Sequence, residues 1–134
     1  MADNDLFISF LSEIGKDAYR LAQDRIIQKA KDLFKNDFEL FKIFWNYEEK
    51  NTPVYGFRNA ISWLKENHKP GKKRKGGIYF TPRDNSGIIV LHIFFLEDET
   101  PLLNGAAPHL VVKTHEIDED LNNAFKNNTL LIIE

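Results

Sequence analysis

Residues 87–98 read GIIVLHIFFLED, a β-branched and aromatic run interrupted by His92 and closed by two acids. A run this short, bounded by turn residues, has strand composition. Its apolar residues occupy both alternating sets, so it is expected to be a central strand covered on both faces. Upstream, residues 76–84, GGIYFTPRD, form a second such run, joined to the first through Asp84-Asn85-Ser86-Gly87, a hairpin-loop composition. Downstream, HLVVKTHEI at 109–117 and TLLIIE at 129–134 supply two more strands. The sheet core is expected from Ile78, Phe80, Ile89, Leu91, Ile93, Phe95, Leu110, Val112 and Leu131.

Working back toward the N-terminus, the periodicity changes. Phe7, Leu11, Ile14, Ala18, Leu21, Ile26, Ala30 and Leu33 recur in steps of three to five, marking one helical face behind an Asn4 or Asp5 cap. Gly15 predicts a break in that helix. FELFKIFWNYEEK, residues 38–50, fits either a strand or a buried helix. In residues 51–70, Thr52 is the expected N-cap and Pro53 the first helical residue of a helix ending near Asn67. Asp118 is expected to cap a short helix carrying Leu121, Ala124 and Phe125. Helices followed by strands predict an α+β fold: N-terminal helices packed on a mostly antiparallel four- to five-stranded sheet, in two layers. The 134 residues predict a single domain, 1–134. A chain of this size buries roughly 68% of its unfolded surface, enough for a core without metals or cross-links.

Composition narrows the chemistry. The chain has no cysteine, which removes disulfides, thiolate metal sites and thiol catalysis. No apolar stretch approaches a membrane span, and MADNDLFISF lacks the positive start of a secretory signal, so a cytoplasmic protein without membrane contact is expected. The net charge is −2, but it is segregated. Residues 69–83 carry six basic and no acidic side chains, whereas residues 97–134 carry eight acids against two bases.

Three groups of residues are candidates for function. In HKPGKKRKGG, residues 68–77, the cations Lys72, Lys73, Arg74 and Lys75 stand among glycines that can expose backbone N–H groups to phosphate. The order is not that of a P-loop, and the competing reading is a solvated connector. Lys-rich runs also bind RNA backbones, with Tyr79 and Phe80 beyond as stacking faces, so the loop 69–83 is a candidate nucleic-acid or secondary contact. The second group is Arg83, His109, Lys113 and His115; the last three share one strand face, where imidazole and cations can run acid–base chemistry on RNA. His92, inside the apolar strand, reads as a hydrogen-bonded core residue. The third group is acidic, Glu97, Asp98 and Glu99 with Asp118, Glu119 and Asp120. Such residues suit a rim that steers a basic protein partner. No metal or cofactor is expected. Two histidines need a carboxylate to complete a metal site, and Glu116 faces away from His115.

GGIYFTPRDNSGIIVLHIFF followed by HLVVKTHEI resembles the strand pair and Lys-Thr stretch of the small RelE/HigB-type RNA-cleaving toxins. That resemblance implies an endoribonuclease using Arg83, His109, Lys113 or His115. The profile as a whole, small, acidic, cysteine-free and α+β without a catalytic motif, is similar to that of bacterial immunity and antitoxin proteins. It implies a non-enzymatic, cytoplasmic domain that binds a toxin, such as a nuclease, and occludes its active surface.

Overall fold

The computed structural model describes residues 19–21, 24–34, 47–69, 71, 73–81, 85–98, 100–102, 107–126 and 128–133. In chain order these form β1 (Tyr19–Leu21), α1 (Asp24–Lys31), β2 (Glu48–Tyr55), α2 (Phe57–Asn67), β3 (Lys75–Thr81), β4 (Ile89–Glu97), β5 (Thr100–Leu102), β6 (Leu110–Ile117), α3 (Glu119–Phe125) and β7 (Leu130–Ile133). The fold is α+β. The strands lie in the order β1-β7-β3-β4-β6-β2, with β5 also paired to β4. Every pairing is antiparallel except that of β2 with β6.

The run at 87–98 is the central strand. β4 pairs with β3 along one edge, Ile78 opposite Ile93, and with β6 and β5 along the other, Leu91 opposite Val112 and Phe95 opposite Leu102. Its alternate residues feed two separate cores. Ile89, Leu91, Ile93 and Phe95 join Ile78, Leu110, Val112 and Leu131 beneath Ala60, Ile61 and Leu64 of α2 and Leu121, Ala124 and Phe125 of α3. On the other face, Phe94 and Leu96 pack with Tyr79, Leu130 and Ile132 beneath Ile26 and Ala30 of α1 and Phe34 just beyond it. Eight of the nine expected core residues are buried, and Phe80 is half-buried at the rim of the same cluster.

Helices therefore cover both faces of the sheet, where a two-layer arrangement with four or five strands was expected. Of the extra strands, β1 and the larger part of β2 come from stretches that read as helix, and β5 from the Pro101 stretch before the third strand run, which reads as loop. Tyr19–Leu21 fits the N-terminal helical periodicity, but it pairs with β7, Tyr19 opposite Ile133. Tertiary pairing overrides a weak local preference there. The Phe7–Ala18 part of that helix, with Gly15, and residues 38–46 lie outside the described residues; residues 48–50 are strand.

Thr52 and Pro53 are likewise in β2 and not at a helix start. The Thr52 hydroxyl donates to Val54 O at 3.0 Å. Glu48 donates its N–H to His109 O. Backbone groups alternate in direction along a strand, so Pro53 turns toward the side away from β6, where its missing N–H breaks no ladder bond. The helix begins at Phe57 and ends, as the sequence predicts, at Asn67.

Candidate functional site at the acidic end of the sheet

Because β4 and β6 run antiparallel, the two acidic stretches leave the sheet at opposite ends. Ile93 pairs with Leu110 and Ile89 with Thr114. Glu97 and Asp118 are then about twelve strand positions apart, roughly 40 Å at ~3.3 Å per residue. The structure does not assemble Glu97, Asp98 and the 118–120 stretch into one surface. Glu99 lies outside the described residues.

At the Glu97 end, acid meets base. Lys75 stands opposite Leu96 in the β3–β4 ladder, so the chain before Lys75 runs alongside Glu97 and Asp98. Asp98 takes a left-handed turn conformation, φ 50°. Lys73 is exposed and Arg74 half-buried, its Nε without a hydrogen-bond partner among the described residues; Lys72 and Arg83 lie outside them. The basic loop is therefore beside an acidic turn. Its last two glycines belong to β3 and to packing. A β-carbon on Gly76 would come within 2.6 Å of Leu64, and one on Gly77 within 2.6 Å of Phe94. Those glycines admit core side chains and do not form part of an open anion cradle.

His109, just before β6, and Lys113 and His115 within it are spread along the strand direction. His109 is buried, 2% exposed, and its Nε2 lies 3.0 Å from Nδ1 of His92, which is 1% exposed. Phe34 stacks on His92 with ring centres 4.2 Å apart. Burial pushes the His109 pKa down to about 4, and burial reinforced by His109 holds His92 well below its ordinary value. His92 is thus the hydrogen-bonded core residue expected, and His109 joins it. Lys113 forms an ion pair with Glu49 of β2 at 3.0 Å, both half-exposed, and His115 is exposed. From His109 to His115 the strand covers roughly 20 Å. An acid–base pair acting on one phosphodiester must bring both groups within hydrogen-bond reach of it. Among the described residues, no group of three or more His, Asp or Glu side chains comes together to hold a metal.

The opposite end is built differently. Asp118 Oδ1 accepts from Leu121 N at 2.8 Å, capping α3 as the sequence predicts. The same oxygen accepts from Phe57 N at 3.2 Å, at the start of α2. Gly56, which precedes α2, has no side chain to cap with, and Asn59 Oδ1 accepts its N–H at 3.0 Å. One carboxylate thereby ties together the N-termini of two helices, which gives Asp118 an intramolecular role. Glu119 and Asp120 are exposed in the first turn of α3.

Beside this junction is an open pocket of about 500 Å³, lined by Phe80, Ile89, Glu116, Ile117, Glu119 and Asn122. Phe80 packs against Phe125 behind it, ring centres 5.4 Å apart. The pocket combines an aromatic and aliphatic floor with two carboxylates and an amide at its edge. The sequence offers Glu119 as a partner contact, Glu116 only as a metal carboxylate that faces away from His115, and Phe80 as a sheet-core residue and a stacking face, but it does not bring the three together. The signal available was the alternation that sends Glu116 to the same face as Val112. The chain matches no protein-family model, and no curated protein or solved structure resembles it at a significant level.

Proposed function

We propose that the chain is a non-enzymatic protein-binding domain of the bacterial immunity or antitoxin type, which neutralises a toxin by covering its active surface. The observation that carries this reading is the pocket beside Asp118, where Phe80, Ile89 and Ile117 form an apolar floor edged by Glu116 and Glu119. Protein interfaces are anchored by pockets of this kind within a polar rim, and acidic rims steer basic partners into contact. A nuclease presents a basic substrate-binding surface, so an acidic end that docks there both recognises and blocks it. Within the reading, Glu119 and Asp120 are contacts, joined by Glu116, while Asp118 holds the platform. Glu97 and Asp98, with Lys73 and Arg74 of the basic loop alongside them, act as a secondary contact at the far end.

The test is capture from the native host by the tagged protein, beside a Glu116→Lys/Glu119→Lys/Asp120→Lys variant. The wild type is expected to retain a protein that the variant loses, and that protein arrests growth when expressed alone and not when co-expressed with this chain. Retention of RNA or nucleotides without protein, or capture unchanged in the variant, would overturn the reading.

A further inference from the structure

We infer that the pocket beside Asp118 receives an arginine side chain of the bound protein; the assignment rests on the partner-binding reading and specifies the chemistry of its contact. The pocket offers three kinds of surface. Ile89 and Ile117 supply aliphatic wall, the half-buried Phe80 an aromatic ring, and Glu116, Glu119 and Asn122 oxygen acceptors. An apolar side chain would fill the floor but make no use of the two carboxylates at the edge. A nucleobase could stack on Phe80, but the phosphates attached to it would meet Glu116 and Glu119. A cation on an aliphatic stem satisfies all three surfaces together.

Arginine suits them better than lysine. Its planar guanidinium stacks on an aromatic face while its edge N–H groups reach carboxylates, and it is less strongly hydrated than an ammonium. Its donors are arranged in a fork that can serve acceptors on separate elements. Here those acceptors come from the end of β6 (Glu116) and from the outer face of α3 (Glu119, Asn122). The junction behind them is held by Asp118, which bonds both helix N-termini, so the acceptors are positioned before a guest arrives.

The experiment is an NMR titration of the full chain with capped arginine (N-acetyl-arginine N-methylamide), capped lysine and capped norleucine. Arginine is expected to shift the backbone amides of Ile117, Glu119 and Asn122 and the ring protons of Phe80, saturating at lower concentration than lysine. Norleucine is expected to leave them in place. Glu116→Gln/Glu119→Gln, both exposed positions, is expected to weaken the arginine response at least about tenfold while the rest of the spectrum is unchanged. Equal responses to arginine and norleucine, or an arginine response untouched by the double variant, would overturn the assignment. If arginine fails while Glu116→Lys/Glu119→Lys/Asp120→Lys still abolishes partner capture, only the arginine assignment falls. If capture survives that charge reversal, the binding-surface reading falls with it.

Discussion

The carboxylate of Asp118 occupies the space that a β-carbon on Gly56 would need. Sixty-two positions apart in sequence, the two residues form one joint. The missing side chain at Gly56 lets Asp118 approach closely enough to bond Phe57 N while it caps Leu121. Gly56→Ala is therefore expected to destabilise the fold by about 2 kcal/mol through the clash. Asp118→Ala is expected to cost about 2 kcal/mol through two lost caps, and Asp118→Asn, which keeps an acceptor, less. Urea unfolding midpoints of the three variants and of the Gly56→Ala/Asp118→Ala double check this. The double is expected to lose less than the two singles added, because removing the carboxylate removes the clash.

Gly77 makes the corresponding test at the basic loop. Its absent β-carbon leaves room for Phe94 and Leu96, at 2.6 and 2.9 Å from the position it would take. Gly77→Ala is expected to lower stability by about 1–3 kcal/mol. A variant as stable as wild type in thermal unfolding would mean that the glycine serves something other than packing.

Ile93 is fully buried in the central strand and pairs with Ile78 and Leu110 on its two sides. Ile93→Asp places an unpaired charge there, at several kcal/mol. Cooperative unfolding monitored by circular dichroism is expected to disappear, and a stable two-state variant would contradict the placement of β4.

How far the sequence foretold this arrangement depends on how local each signal was. The runs at β3, β4, β6 and β7 are dense in β-branched and aromatic residues, and their core face was legible almost residue by residue. Asp118 as the cap of α3 was equally local. β2 was not legible, because Thr52-Pro53 carries a helix-start signal that only its position at the side of the sheet reverses. Tyr19–Leu21 looked helical because steps of three to five accommodate many sequences, whereas its pairing with β7 spans most of the chain. The same limit applies to the site. Exposed acids could be named from the sequence, but their separation into opposite ends follows from the β4–β6 register, and the meeting of Phe80 with Glu116 and Glu119 from tertiary packing.

The His92–His109 pair predicts a pH dependence with a definite sign. Both rings have folded-state pKa values lowered by burial, His109 to about 4, while an unfolded histidine titrates near 6.5. Between those limits the unfolded chain binds more protons, so stability is fullest above about pH 6.5 and falls as pH drops toward 4. The slope reaches at most about 1.4 kcal/mol per pH unit for each histidine. His92→Leu/His109→Leu is expected to flatten this part of the profile. Either single replacement, which breaks the 3.0 Å contact from one side, is expected to be less stable at pH 7 than the double. Denaturant midpoints from pH 4 to 8 measure both.

The most direct test of partner binding at the Asp118 end is the association rate with the captured protein, measured by stopped flow from low to high salt. Steering by surface charge acts mainly on that rate and is screened by salt. Charge reversal at Glu116, Glu119 and Asp120 is expected to slow association at least about tenfold at low salt and to flatten its salt dependence. Reversal at Glu97 and Asp98, at the other end of the sheet, is expected to leave the rate within about twofold of wild type. Equal slowing by both sets, or slowing by Glu97 and Asp98 alone, would contradict the account.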